Sequence, residues 1–321
     1  MAKVSVIIPV YNAEPYIERC ARSLFGQTLD DMEFIFVDDS SPDNSIGIIR
    51  QVLEYYPTRK NQVLFLENET NLGPAVTRTR GMKAATGEYL IHCDSDDWVE
   101  ANMYECLYRT AISQHSDIVV CDYVNEYQGD RAEVRSMGPL PENPHEVLSC
   151  TDKRPFYSSW LNLVRTQIVQ ENGIYPIEGI NMWEDLLIGM KEYYYAKRLS
   201  YVPKPLYHYN KCNDASYTSK PFTDAFLEQE KACVKNLEEF FQDKEIDFTN
   251  TALVLKKMIK DRYLCQVPPN YKKWKTCYPE AANVKLRFEK SNWIYDLAYQ
   301  IGNLGIFTPL RFYYALTSLL R

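Results

Sequence analysis

Five short apolar runs, spaced by stretches of helical periodicity, constrain this chain more than any other feature. They fall at 4–10, 34–37, 63–66, 89–93 and 118–121, and the first is a β-branched VSVIIPV. After the first run, apolar residues recur at helical spacing at Ile17, Cys20, Ala21, Leu24 and Phe25, and 46–53 does the same after the second. The third helix carries Pro74 in its first turn and Gly87 just past its end, the usual asymmetry of helix punctuation. A fourth helix is expected around 100–113. Strands this apolar, alternating with helices, predict an α/β fold: a mostly parallel, Rossmann-like sheet joined by right-handed crossovers and flanked by helices.

After about residue 122 the rhythm changes. Runs at 123–127 and 132–136 flank Gln128-Gly129-Asp130 and predict a hairpin. Apolar spacing through Trp160, Leu163, Val164 and Ile168 predicts a helix ending near Gly173. A longer helix is expected from Asn181 to Lys197, with Asn181 and Glu184 in the spacing of a capping box. Two short strands, 199–202 and 206–209, close this part. Beyond Pro221 the pattern is helical, at 223–243 and 251–265, so the chain divides into 1–220 (itself in two parts at about 122) and a helical extension, 221–321.

Composition excludes several classes. A net charge of −7 offers no phosphate-neutralising field, so nucleic acid is not an expected partner. Nine cysteines without a C-x-x-C pair fit reduced thiols in a cytosol better than a disulfide framework. Pro9 and Asn12 cut the N-terminal apolar run too short for a secretory signal, and no stretch is long enough to cross a membrane, so a cytoplasmic location is expected. The last segment, 292–320, is rich in aromatic residues. Five basic residues against two acidic ones between Lys285 and Arg321 suit a peripheral membrane surface; a helix pair packed on the domain or a dimer contact fits the same pattern.

Chemistry concentrates where the predicted strands end. The first ends in Pro9-Val10-Tyr11-Asn12, the second in Val37-Asp38-Asp39-Ser40-Ser41, and the third leads to Asn71-Leu72-Gly73 and Arg78. The fourth stops at Asp94-Ser95-Asp96-Asp97, three carboxylates in four positions. Acids at the end of a central strand repel one another and are retained when a positive group sits among them, for which a hard divalent cation is the obvious choice. A solvated turn with Asp97 capping the next helix is the plainer alternative. Neither G-x-G-x-x-G nor G-x-x-x-x-G-K-[ST] is present, against a dinucleotide enzyme or a P-loop NTPase. An aromatic, two carboxylates, an arginine and an acidic cluster instead suit a nucleotide-diphosphate site without glycines. His92 reads as a satisfied core histidine, and His208 with Cys212 as a loop pair, not a metal site.

On these motifs the sequence resembles family 2 glycosyltransferases, inverting enzymes of GT-A fold. The matches are Val4-Ser-Val-Ile-Ile-Pro-Val-Tyr-Asn12, Val37-Asp-Asp-x-Ser41, Asn71-x-Gly73 with Arg78, and Thr86-Gly-Glu-Tyr-Leu90 running into Asp94-x-Asp96-Asp97. Trp183-Glu184-Asp185-Leu186 looks like the family's Glu-Asp motif, and Leu206-Tyr-His-Tyr209 with Ser216 like its closing loop. The resemblance covers about 3–218 and implies a nucleotide-binding half (1–122) and an acceptor half (123–220). It also implies that Asp39 reads the base in a pocket lined by Pro9, Tyr11 and Arg78. Asp94 would contact ribose and metal, Ser95 would belong to the donor site, and Asp96 would be the chief ligand of Mn²⁺ or Mg²⁺. Asp185 would be the general base. Two departures stand out: Thr77-Arg78-Thr79 where the family has Ala-Arg-Asn, and Trp160-Leu161-Asn162 where it has Trp-Asn-Lys.

An independent argument favours Asp185. Inverting transfer needs a carboxylate to take the acceptor proton, and a base in the first turn of a helix is held ionised by the helix dipole. The expected reaction moves a sugar from a nucleotide-sugar, a UDP-sugar by preference, to a hydroxyl of a glycan or lipid-linked glycan. A nucleotidyltransferase would need a Gly- and Arg-rich loop where Tyr11-Asn-Ala-Glu14 stands, and the intact Asp94, Asp96 and Asp185 argue against a non-catalytic binding protein.

Overall fold

In the computed structural model, residues 2–129, 131–138, 140–141, 143–149, 157–213, 223–266 and 268–284 are described, with 299, 301–302 and 306–309. The chain divides into two compact units, Met1–Ser219 and Lys220–Arg321.

The first unit runs β1 (Val4–Val10), α1 (Ile17–Phe25), β2 (Met32–Asp38), α2 (Ser45–Leu53), β3 (Val63–Glu67), α3 (Pro74–Ala84) and β4 (Tyr89–His92). It continues with β5 (Trp98–Val99), α4 (Met103–Ser113), β6 (Ile118–Tyr127), β7 (Arg131–Arg135), α5 (Pro144–Val147), β8 (Asn162–Arg165), α6 (Thr166–Glu171), α7 (Glu184–Tyr195) and β9 (Leu199–Asn210). One sheet of nine strands, counted over the described residues, has the order β3-β2-β1-β4-β8-β6-β9-β5, with β7 beside β6. The first four strands are all parallel, and β6 pairs with β9 in parallel; β8, β7 and β5 are antiparallel to their neighbours. Chain order reverses between β1 and β4, so the crevice beyond their carboxyl ends lies at the switch point where open α/β sheets bind ligands.

Four of the five apolar runs are buried as their composition demands, with Val4, Val6, Ile7, Ile8, Phe34, Ile35, Phe36, Val37 and Tyr89 fully covered; the third forms the edge strand β3 and is only half covered, Leu64 being 38% exposed. On α3, Gly81 lets the helix lie close on β1, since a Cβ there would come within 2.4 Å of the Ile7 methyl. Three expectations need correction. The stretch through Leu163 and Val164 is a strand, β8, followed by the short α6; the i, i+3, i+4 spacing that suggested a helix belongs to a strand buried on both faces. The two short strands near 199–209 are a single β9, whose register against β6 slips near Asp122, opposite exposed Pro205. The helix expected from Asn181 starts at Glu184, and Trp183 before it holds a left-handed φ of 63°.

Deep in α7, Glu192 is 3% exposed, and burial alone pushes its carboxyl up to about 8. The unfolded chain releases this proton from about 4.5, whereas the fold keeps it until about pH 8. Stability therefore falls as pH rises through that window, by up to roughly 5 kcal/mol in all. Glu192→Gln removes the titration: its Tm relative to wild type is expected to climb between pH 5 and pH 9. A constant offset across that range would assign the burden elsewhere.

The second unit contains α8 (Asp224–Phe241), α9 (Thr249–Arg262) and α10 (Tyr271–Thr276). Leu227, Tyr263, Leu264, Trp274 and Tyr299 form one buried cluster in it, and Val234, Leu237 and Ile259 are also fully buried. Buried Lys260 donates to the carbonyls of Lys275 and Cys277 (3.3 and 3.1 Å), closing the end of α10. No helix among the described residues is long and apolar enough to cross a membrane. Most of the aromatic tail at 292–320, and Ser216 of the expected closing loop, lie outside the described residues.

Candidate active site

The acidic stretch 94–97 is a tight turn, closed by the Asp97 N–H on the Asp94 carbonyl (3.1 Å). Its three acids have separate tasks. Asp97 is 1% exposed; it accepts from the Tyr207 hydroxyl (2.5 Å) and the Asn210 N–H (2.7 Å), so it pins the turn to β9. It caps no helix, because β5 follows it. The Tyr207 hydroxyl in turn accepts from the Asp94 N–H, and Tyr207 stacks on Trp160 with ring centres 4.4 Å apart. Asp96 accepts from the Asn213 amide (2.7 Å), and burial with the neighbouring Asp94 raises its carboxyl above the ordinary range. Ser95 sits between them in the turn, half-buried.

Asp94 accepts from Arg78 at 2.6 Å, and the same guanidinium donates to Glu184 at 3.0 Å. Arg78 is 8% exposed, and the facing acids hold it charged. It thus joins the acidic turn to the start of α7, where Asp185 is the next residue. Burial, with Asp94 adding to it, lifts the Asp185 carboxyl, while Arg78 pulls it down. Glu184 is also pushed up by burial against the pull of Arg78. Asp94, Asp96, Glu184 and Asp185 therefore share one guanidinium, which leaves a net formal charge of about −3 when all four are ionised. Such a site favours a cation.

Pro9 is half-buried, and Tyr11 beyond it is 50% exposed at the mouth of the β1/β4 crevice, free to lie against a flat ligand. Asp39 is largely occupied: it accepts from Asn68 (2.6 Å), the Leu72 N–H (2.8 Å) and the Gly73 N–H (2.9 Å). One of about four lone-pair positions is left for a ligand. Arg78 lies under the acidic turn, bound to Asp94 and Glu184, where the resemblance puts it beside the base. A cavity of about 400 Å³ opens beside the turn, lined by Asn12, Glu14, Pro15, Tyr16, Asp43 and Asn213. None of the expected site residues lines it.

Among the described residues no three His, Cys, Asp or Glu side chains converge closely enough to hold an ion by themselves. The all-oxygen donors of Asp94 and Asp96, in a group of four acids with one guanidinium among them, suit a hard cation that takes its remaining ligands from a bound phosphate group and water. His92 is buried, but both its ring nitrogens and the Arg78 Nε lack partners among the described residues, so it is not the satisfied histidine expected. Burial and Arg78 hold its ring neutral. His208 lies between Glu100 and Glu126 (2.9 and 2.8 Å) and stacks on Trp98, a structural position. Asn181 does not cap its own helix. Its Oδ1 accepts from Ala75 at the start of α3 (3.1 Å), a role invisible in sequence because it depends on a residue 106 positions away.

A family model described as "Glycosyl transferase family 2" matches residues 5–173. The chain is 30% identical over 231 residues to the uncharacterized glycosyltransferase EpsJ of Bacillus subtilis (strain 168), covering 70% of this chain and 65% of EpsJ. It spans 60% and 61% of two further curated glycosyltransferases. A crystal structure of S. aureus TarS 1–349 in complex with UDP-GlcNAc superposes with a TM-score of 0.66 at 21% identity, covering 95% of this chain and 89% of that one. A mannosyltransferase from Pyrobaculum calidifontis in complex with GDP-Man and Mn²⁺ gives 0.55 at 15% identity, covering 98% and 84%. At these identities the likeness shows the fold, which is of GT-A type.

Proposed function

The chain belongs to glycosyl transferase family 2, and from that premise we propose a metal-assisted inverting transfer of a sugar from a UDP-sugar to a hydroxyl of a glycan or lipid-linked glycan. The observation that carries this reading is the Arg78 bridge. One side chain fixes the acidic turn that would face the diphosphate against the helix start that bears Asp185. Asp185 takes the proton of the acceptor hydroxyl as its oxygen bonds to the anomeric carbon. The bond from that carbon to the diphosphate oxygen breaks on the opposite side, and the nucleoside diphosphate leaves with the electron pair. A lifted carboxyl is the stronger base for this, and desolvation supplies the lift. Asp96, with Asp94, would hold Mn²⁺ or Mg²⁺, which when bound neutralises charge on the leaving diphosphate. Tyr11, Pro9 and Asp39 would receive the base, Asp94 would contact the ribose, and Ser95 would belong to the donor site. The UDP-GlcNAc and UDP bound in the TarS structures support the choice of donor, and the Mn²⁺ of the mannosyltransferase supports the metal.

A thermal-shift screen of nucleotide-sugars tests the proposal. A UDP-sugar at about a hundred times its Kd stabilises by about 2.7 kcal/mol, a rise of several degrees in Tm. The rise is expected with Mn²⁺ or Mg²⁺ and is expected to disappear with EDTA. No response to any nucleotide-sugar, with or without metal, would refute the reading.

A further inference from the structure

The two elements that meet at Arg78 are joined at a second point. Ala75 and Arg78 lie three residues apart on α3, Asn181 and Glu184 three apart at the entrance to α7, and both pairs are separated by 106 positions. Pro74 has no N–H to offer, so the Ala75 N–H is the first unpaired donor of α3, and Asn181 satisfies it from another part of the chain. The Asn181 amide also lies flat on Gly73: a Cβ at 73 would fall 2.8–3.0 Å from its Nδ2, Oδ1 and Cγ. Gly73 has a φ of +84°, and its N–H is held by Asp39. A continuous line therefore runs from Asp39 through Gly73 to Asn181 and, four residues on, to Asp185. Trp183, in its left-handed conformation between Asn181 and Glu184, turns the chain so that both contacts are made at once.

We propose that Asn181 is a positioning residue for sugar transfer: it docks the entrance of α7 on the start of α3 and so sets Asp185 relative to the donor site. The inference rests on the proposed role of Asp185 but makes a separate structural claim. Among the described residues, Arg78–Glu184 and Ala75–Asn181 tie the entrance of α7 itself to α3, and two points fix a direction. Losing one lets the α7 entrance pivot about Arg78, and a displacement near 1 Å at a reacting group costs about a hundredfold in rate.

Asn181→Ala is expected to lower kcat by about 10- to 100-fold, with UDP affinity and donor KM within about threefold of wild type. Asn181→Asp keeps an acceptor oxygen for Ala75 and is expected to recover most of the rate. Hydrogen exchange at the Ala75 amide and across 183–187 should rise in the Ala variant and not in the Asp variant, whatever reaction the protein catalyses. Unchanged exchange in Asn181→Ala would overturn the docking. Raised exchange with an unaltered kcat, or an Asp variant as slow as the Ala one, would overturn the positioning role. A wild type that transfers no sugar would instead remove the proposed function while the exchange result still judged the contact.

Discussion

Asp185→Asn is expected to lower sugar transfer by about 10³-fold, within the range that positioned general bases supply, while UDP binding is retained. Asparagine keeps the shape and an oxygen for the Leu186 N–H that Asp185 accepts at 2.8 Å, so the start of α7 should hold. The pH profile provides the second half of the test. A protonated base is inactive, and the Asp185 carboxyl is raised above its ordinary value, so kcat should climb with pH through a midpoint above that of a free aspartate. Glu184→Gln should cost less, because Glu184 is taken up with Arg78. A folded Asp185→Asn protein with undiminished turnover would place the base elsewhere.

The second large effect concerns Arg78. Removing one partner of a buried ion pair strands the other, at a typical cost of 3–5 kcal/mol. Arg78→Ala strands Asp94 and Glu184 together, so urea unfolding at neutral pH should show a loss of about 3–5 kcal/mol or more. The loss should shrink as pH falls and the acids take up protons. Arg78→Lys should recover only part, since an ammonium cannot fork between carboxylates as a guanidinium does. Because Arg78 is the group that pulls the carboxyls of Glu184 and Asp185 down, its removal should also move the acid limb of activity to higher pH. Full stability of Arg78→Ala would mean that the bridge carries little of the site.

These two tests fall on residues that sequence patterns had marked, and the reason is physical. A strand buried on both faces must be an apolar run, as β1, β2 and β4 largely are, and three acids in four positions directly after such a run are conspicuous; these strands, the edge strand β3 with its Val-Leu-Phe-Leu run and the turn at 94–97 could be read directly. What could not be read depends on partners distant in the chain. The run at 160–168 has helical spacing by coincidence, and only its pairing with β4 and β6 makes it β8. Asn181 and Glu184 satisfy the local rule for a capping box, yet both side chains reach across the fold to α3 instead. Asp97 looked like a helix cap and is a buried anchor, because β9 returns beside the turn. The burial that lifts Asp185 is likewise a sum over neighbours that no local window contains.

The contact of Asn213 with Asp96 carries a consequence of its own. A ligand that claims the same carboxylate oxygen must compete with an amide of the protein's own chain. Linkage makes that competition reciprocal: whatever holds the Asn213 amide away tightens the ligand at Asp96, and a ligand at Asp96 weakens the hold on that amide by the same free energy.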